Sequence, residues 1–267
     1  MVQAFQAIDI HNNIDQSSML PVQVVMAHEL QRVCSDRANP ANPPFDVVML
    51  VRLVNDCLGV QNRFIIGQQQ CAGEFIFHTL DNLEFAFNFL SVFYDEAICH
   101  VCNGHFVQQT QGQDKYILHV PPPPQQAGLL SLENLVQTKL AITSAGLICT
   151  SGGACHGQHI LATTRIQQGQ HFIVWVNRND NNVSKIISPI AEPADHDPIW
   201  GGNHCHVVLA HAGNLPVAGH WFTFIKRNRL WWKVDTGSQQ PVQENPFLNQ
   251  RIQGGHLYTI DILIFSN

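Results

Sequence analysis

The sequence predicts an α+β fold, because segments with helical spacing come first along the chain and short alternating segments come later. The change falls near residue 92. Residues 1–91 are accordingly expected to be mainly helical, and the rest of the chain to form mostly antiparallel strands. The 267 residues are enough for one large domain or two small ones, and no internal repeat is visible.

Three segments in the first third of the chain have apolar residues at helical spacing. The first, residues 17–33, opens on a serine pair suited to an N-cap and carries Pro21 in its first turn, where a missing N–H costs little. Residues 44–58 and 67–90 are the second and third predicted helices. The segment ANPANPP, residues 38–44, separates the first two.

The strands of the second part are short and are bounded by turn residues. HFVQQT and KYILHV, residues 105–110 and 115–120, predict a hairpin around QGQD, and the four prolines that follow end its second strand. Residues 131–140 predict a short helix with Ser131 as its cap. The remaining predicted strands cover residues 171–178, 206–213, the hairpin from 220 to 234, and 257–266.

The composition and charge of the chain exclude several classes of protein. The formal net charge is -6 and there is no long run of lysine or arginine, so a nucleic-acid partner is not expected. No segment reaches about 18 uninterrupted apolar residues, so we expect no membrane partner. The start of the chain lacks the basic and apolar regions of a signal peptide. A cytoplasmic or nuclear location follows, in which the eight cysteines stay reduced.

His220 and Asp235 mark the two ends of an aromatic hairpin, HWFTFIKRNRLWWKVD. The side chains of Phe222 and Phe224 share the face of His220, and a basic turn lies between the strands. Strand pairing then brings Asp235 to the imidazole, where a carboxylate fixes the ring tautomer and stabilises the imidazolium of a catalytic base. An ordinary edge hairpin whose polar ends face water is the alternative interpretation.

Two pairs of cysteines have the spacing of metal ligands. Cys99 and Cys102 form a C-x-x-C motif, and Cys149 and Cys155 form a looser pair with five residues between them. Two thiolate pairs in a strand-rich, reduced protein suit a tetrahedral structural zinc site, and His156 or His159 is able to replace a thiolate of the second pair. The alternative is that these cysteines are small buried residues in β-turns.

The other cysteines and histidines suggest no further site. Cys34, Cys57, Cys71 and Cys205 lie in apolar surroundings and are expected in the core. His204 and His206 share one side of a strand, but a complete ligand pattern is missing, so we interpret them as structural or surface residues.

The segment HVVLAHAGNLPVAGHWFTFIKRNRLWWKVDTGS resembles the histidine box of the ubiquitin-specific proteases, a family of deubiquitinases. In that box a strand ending in His-x-Gly precedes Gly-His-aromatic, and a tryptophan, an apolar residue and an aspartate follow. The resemblance implies that His220 is the general base and Asp235 its orienting partner. Thr236 stands where the family has a second acidic residue. The matching residues are His211, Gly213, Gly219, His220, Trp232, Val234 and Asp235.

Other segments extend this resemblance over nearly the whole chain. HFIVWVNR is similar to the strand before the family's Lys-Arg-Phe motif and keeps Arg178, and the cysteine pairs resemble the zinc ribbon of its fingers region. QQQCAGEF is similar to the family's Gln-Gln-Asp-Ala-His-Glu-Phe box, with Cys71 and Gly73 as departures. The family's papain-like cysteine peptidase fold implies a single domain, residues 1–267. Its parts are a helical thumb (1–91), β fingers (92–170) and a β palm with the histidine box (171–267).

The match is weakest at the family's nucleophile motif, Asn-x-Gly-Asn-Thr-Cys-Tyr. The chain has NIDQSSM at this place, so Asn13 takes the position of the oxyanion-hole donor and Ser18 that of the nucleophile. A thiol at a helix start near an imidazole ionises readily, whereas a serine hydroxyl has a far higher pKa and cannot form the thiolate–imidazolium pair. Ser18 therefore reflects either an engineered Cys→Ser change or a natural pseudo-protease.

The resemblance implies ubiquitin or a ubiquitin-like modifier as partner, together with a modified protein substrate. With a native cysteine at position 18, the expected reaction is hydrolysis of the isopeptide bond after the C-terminal glycine of the modifier. A catalytically dead binding or scaffold module is the first alternative. A protease for SUMO or another ubiquitin-like modifier is the second.

Overall fold

Helices precede strands along the chain in the structure, a computed structural model, and the α+β prediction is confirmed. Predictions for the QGQD turn and for the four prolines at 121–124 lie outside the described residues. The structure describes residues 1–38, 47–59, 63–66, 71–108, 115–120, 128–141, 143–150, 155, 159–178, 185–195, 197–215, 218–235, 241–250 and 258–267.

The helical part begins with α1 (Val2–Ala7) and continues with α2 (Pro21–Ala38), α3 (Val48–Cys57) and α4 (Ala72–Asp81). The prediction that α2 starts at a serine pair is wrong. The backbone N–H of Leu20 donates to the Gln23 side chain (2.8 Å), and the helix begins at the following proline.

The stretch after α4 consists of turns and isolated bridges, although its apolar stripe predicts a helix as far as residue 90. Phe85 forms an isolated antiparallel bridge with Ile14, and Leu90 forms a parallel one with His171. Aromatic residues at every second position suit an extended segment as well as a helix face, which is why the pattern misleads. This segment connects the start of the chain to the larger sheet.

The larger sheet is built from the C-terminal strands and one earlier strand. The strands are β3 (Ile117–Val120), β6 (His171–Val176), β7 (His204–Leu215), β8 (Ala218–Arg227), β9 (Leu230–Val234), β10 (Val242–Gln243) and β11 (Thr259–Ser266). Their order in the sheet is β10–β9–β8–β7–β11–β6–β3, and every neighbouring pair is antiparallel except β3 and β6.

The smaller sheet has the order β2–β1–β5–β4 and is antiparallel throughout. Between β3 and β4 lies α5, whose predicted cap is confirmed because the N–H of Asn134 donates to the Ser131 hydroxyl (3.1 Å). The elements are β1 (Val92–Ile98), β2 (His105–Gln108), β4 (Thr143–Ile148), β5 (His159–Gln167) and α5 (Leu132–Ala141).

The predicted hairpin of residues 105–120 is wrong, because its two strands belong to different sheets. β2 pairs with β1, whereas β3 lies parallel to β6 at the edge of the larger sheet. A turn-like sequence between two alternating segments does not fix their pairing when other strands offer a better apolar match.

Both faces of the larger sheet are buried. Val207 and Ile262 pack on the side of α1 to α4, while Val208, Phe265 and Trp200 pack in the second core with α5. Burial on two faces explains the nearly continuous apolar sequence of the central strand β11. None of the helices in the described part of the chain is long and apolar enough to cross a membrane.

Gly169 lies in the turn between β5 and β6, and its N–H donates to the Ser91 hydroxyl (3.0 Å). A Cβ at this position would lie 2.6 Å from the Ser91 nitrogen, which belongs to backbone and cannot move freely. We expect Gly169→Ala to lower the free energy of unfolding by about 1 to 3 kcal/mol, as overpacking does. Urea unfolding followed by circular dichroism measures this.

Gly128→Ala is the matched control, because a Cβ at that glycine meets no atom within 4 Å. Equal stabilities of the two variants would contradict the backbone contact at Gly169.

Candidate functional site

His220 and Asp235 are in direct contact at one end of the larger sheet. The Nε2 atom of His220 lies 2.7 Å from Oδ1 of Asp235, and their side chains are 52% and 21% exposed. The contact arises because β8 and β9 pair in register from Arg227–Leu230 to Thr223–Val234, so that the two strand ends meet. A carboxylate on Nε2 places the ring proton there and leaves Nδ1 as the acceptor, which is the tautomer that a general base needs.

The side chain of His220 lies on the face of the sheet away from α1 to α4. Trp221 packs against the helical side, whereas Phe222, two residues from His220, belongs to the core on the other face. The rings of His220 and Phe222 are 6.1 Å apart, as expected for neighbours on the same face of a strand.

A second histidine supports this end of the sheet from the neighbouring strand. The His211 ring stacks on Trp221, with centroids 4.6 Å apart and planes at 25°. Gly219 is required here, because a Cβ would overlap the Ala212 carbonyl group and the His211 ring. The glycine that precedes the histidine of the histidine box is therefore required for steric reasons in this chain.

A buried charged network lies beside His211. The Lys185 ammonium donates to Nδ1 (2.6 Å) and to the backbone oxygen (2.9 Å) of His211, and lies 3.9 Å from Asp261. Arg178 lies 3.8 Å from the same carboxylate and donates to Ile260 oxygen. The lone aspartate in the apolar segment YTIDILIFS is the sequence signal that indicates such buried cations.

Burial shifts the titration of this network. It lowers the pKa of Lys185 to about 8 and raises the pKa of Asp261. Burial, followed by the charge of Lys185, lowers the pKa of His211 to about 4. His211 is therefore neutral at physiological pH and accepts a hydrogen bond from the lysine.

Asn13 lies near the opposite end of the sheet. Its side chain donates to the backbone oxygen of Asp9 (2.9 Å), and its own backbone oxygen accepts from Ala86 (2.8 Å). Three residues further on, the oxygen of Phe89 accepts from His171 at the start of β6 (3.1 Å). His171 is level with His204 in the sheet, and His220 is level with Ala212, eight residues further along β7, so the two ends are about 26 Å apart at about 3.3 Å per residue.

Ser18 is exposed in the turn before α2, three residues ahead of the helix start at Pro21. The turn is fixed by the Ser17 N–H, which donates to Asp15 (3.0 Å), and by the Met19 N–H, which donates to Gln16 oxygen (3.4 Å). The structure thus brings His220 and Asp235 together, but it does not bring Asn13 or Ser18 into contact with them.

Cys71 is the cysteine that stands at a helix start, although the sequence suggests an ordinary core residue. It is the N-cap of α4, and its thiol makes no capping hydrogen bond to the first turn of the helix. Together with Trp221 and Phe75 it lines an apolar cavity of about 320 Å³ between the helices and the sheet. Burial raises the pKa of the thiol to about 11, so it supplies no thiolate at neutral pH.

Cys99, Cys102, Cys149 and Cys155 form one cluster, with all four sulfur atoms within 4.8 Å of one another. Two of the sulfurs, those of Cys102 and Cys149, lie 3.6 Å apart. Four sulfurs around a tetrahedral zinc ion at about 2.3 Å would lie about 3.8 Å apart, so the spacing fits this ion. The four cysteines are at one end of the smaller sheet, where β1, β4 and β5 meet.

The C-x-x-C turn has the local geometry of a metal-binding loop. Asn103 has a left-handed backbone (φ 55), its N–H donates to Cys99 oxygen (2.7 Å), and the Gly104 N–H points at the Cys102 sulfur (3.4 Å). Contact with the Cys149 thiol, burial and contact with Cys102 raise the pKa of Cys155 to about 12, because crowded thiolates repel. A bound cation removes this penalty.

The other four cysteines, Cys34, Cys57, Cys71 and Cys205, are not part of this cluster. Cys34 and Cys205 are buried, as predicted for core residues, and Cys57 is half-buried. His156 and the side chain of His159, expected as possible replacement ligands, lie outside the described residues.

His211 gives stability a pH dependence. Its pKa is about 4 in the folded chain against 6.5 ordinarily, so the unfolded chain binds more protons between these values and stability is lost as pH falls through that window. We expect the urea midpoint of His211→Gln to fall less between pH 7 and pH 5 than that of the wild type, since glutamine accepts from Lys185 without titrating. His171, whose pKa is also about 4, remains in both proteins.

His28→Gln is the control, because His28 is exposed on α2. A pH dependence in His211→Gln as steep as that of the His28→Gln protein would overturn the role of His211.

No model of a known protein family matches the chain, and no curated protein matches it either. The resemblance to the ubiquitin-specific proteases therefore rests on the motif residues alone.

Proposed function

We propose that this chain is a ubiquitin-specific-protease-like domain, with a papain-like arrangement of helices and palm sheet, that binds ubiquitin or a ubiquitin-like modifier. The observation that carries the proposal is an exposed apolar face on the smaller sheet, which corresponds to the fingers in the resemblance. Exposed apolar surface of this kind marks a binding site for another protein.

The binding face is defined by Ile98, Val107, Ile148 and Leu161, which are between 50% and 66% exposed. They come from all four strands, and the register of β1 with β5 continues to place Ile98 opposite Leu161. On the same face, the Glu96 carboxylate forms ion pairs with His105 (2.5 Å) and Arg165 (2.9 Å). An aliphatic surface beside ion pairs is typical of a protein interface.

We expect Leu161→Glu to weaken the affinity for the modifier at least tenfold, as loss of a central apolar contact costs about 1.4 kcal/mol or more. Calorimetry with ubiquitin and, separately, with SUMO measures the change and identifies the modifier. Leu248→Glu is the matched control, because Leu248 is 79% exposed in another part of the chain. Binding of neither modifier by the wild type would refute the proposal.

Binding without hydrolysis is favoured for the chain with Ser18. The candidate base lies on the sheet face away from the helices, Ser18 lies in the turn before α2, and the Cys71 thiol is protonated at neutral pH. Hydrolysis after the modifier's C-terminal glycine is the second candidate function, favoured by the 2.7 Å contact of His220 with Asp235. That reaction requires residues 13 and 18 to move to His220, which would then take the proton of a cysteine thiol at position 18 while Asn13 donates to the oxyanion.

Ser18→Cys separates the two candidates. If the domain is a protease, this variant cleaves a fluorogenic ubiquitin or SUMO C-terminal substrate, and His220→Ala added to it abolishes the cleavage. If the domain only binds, Ser18→Cys gives no turnover on either substrate while calorimetric binding is retained.

We also propose that the four-cysteine cluster holds a structural zinc ion, because four thiolates suit zinc and exclude hard cations. Purified protein is expected to contain about one zinc per chain. Cys102→Ser should lose most of it, and Cys57→Ser, which changes a half-buried cysteine outside the cluster, should keep it. Elemental analysis gives both values, and a wild type free of metal would exclude the site.

A further inference from the structure

The far end of the larger sheet carries a cleft of about 920 Å³ that is remote from His220. It lies around the turn between β8 and β9 and reaches the start of β7. Its walls include Lys226, Arg227 and Arg229 together with His204 and His206. Basic side chains are thus concentrated here in a chain whose formal net charge is -6.

The carboxylates of the cleft are already hydrogen-bonded by residues of its walls. Glu192 accepts from the Trp231 indole and from the Asn245 amide, both at 3.4 Å. Asp195 is paired with Lys226 at 3.4 Å, and that lysine side chain is only 14% exposed. Two carboxylates and three cations line the cleft, and both carboxylates lie near the inner cation, Lys226, so one positive charge is in excess on the outer side.

The two arginines are the outer cations. Arg227 and Arg229 are exposed, and neither forms an ion pair with any residue that the structure describes. They flank Asn228 in the turn of the hairpin, so both guanidinium groups project from the same short segment. Unmatched arginines beside each other repel, and a bound anion relieves that repulsion.

The backbone of this turn is costly for an arginine. Asn228 and Arg229 have left-handed φ values of 51° and 64°. Two-residue hairpins of this kind favour glycine at the second position, and a larger side chain costs about 1 kcal/mol there. Arginine at that position is understandable if its guanidinium group has a binding role.

Two imidazoles complete the wall at the start of β7. The rings of His204 and His206 lie 6.2 Å apart and are half-buried. Burial lowers the pKa of His206, and the nearby His204, Arg227 and Lys226 charges lower it further. With its pKa lowered, the His206 ring adds little positive charge to this wall.

We propose that this cleft binds a phosphate group carried by a phosphorylated side chain of a partner protein. A guanidinium group matches the oxygens of phosphate in bidentate geometry, and two exposed arginines lie in this one turn. A nucleic acid needs a longer basic track, which the acidic net charge and the paired Glu192 and Asp195 do not provide. The site is independent of modifier binding, because it lies on the larger sheet, whereas the binding face lies on the smaller sheet, and the two share no residue.

The probe is a fluorescein-labelled pentapeptide, Ala-Ala-phosphoserine-Ala-Ala, titrated in fluorescence anisotropy beside its unphosphorylated twin. We expect binding of the phosphorylated peptide only, and at least about a tenfold loss of affinity in Arg227→Ala/Arg229→Ala. Inorganic phosphate is then added in an NMR titration. A shift of the Trp231 indole N–H signal places the phosphate in the cleft.

The matched control is Arg52→Ala/Arg63→Ala, which removes the same charge from exposed positions of the helical part. Equal affinity of the two double variants would overturn the proposal, as would equal binding of both peptides. Tighter binding of a labelled single-stranded oligonucleotide, lost in Arg227→Ala/Arg229→Ala, would also overturn it in favour of nucleic acid.

Discussion

The carboxylate of Asp261 is the charge on which the arrangement of the histidine-box strands depends. It is the counter-charge that two buried cations share, Arg178 and Lys185, which come from a segment before the histidine box. Lys185 in turn holds the His211 ring, and that ring stacks on Trp221 next to His220. A buried cation without its counter-charge costs several kcal/mol, so these contacts form together or not at all. The position of the candidate base is thus set from the interior of the sheet.

The local parts of the candidate site were predictable from the sequence, because short-range geometry determines them. Hairpin pairing brings Asp235 to His220, and the C-x-x-C spacing predicts the turn that brings the thiols of Cys99 and Cys102 together. Their meeting with Cys149 and Cys155 follows from the strands that converge at one end of the smaller sheet. The helix-then-strand order likewise gave the α+β class.

What the sequence could not predict depends on contacts between distant residues. β3 joins β6 instead of β2, and no local pattern distinguishes those two pairings. The apolar stripe of residues 67–90 suggested one long helix, which concealed that α4 begins right after Cys71 and makes that cysteine a cap. The distances of Asn13 and Ser18 from His220 also depend on tertiary structure. A comparison of motifs gives no distances between segments, so it could not predict them.

The place of β11 in the larger sheet has a kinetic consequence. This strand lies between β7 and β6, although it is formed by residues 259–266, and the Met1 amino group contacts the Thr223 hydroxyl across 222 positions (3.4 Å). Until β11 is inserted, β6 and β7 each expose an apolar edge with unpaired backbone groups. Such non-local closure slows folding and favours aggregation while synthesis is in progress. The chain therefore depends, during its synthesis, on protection of those two edges until residue 266 has emerged.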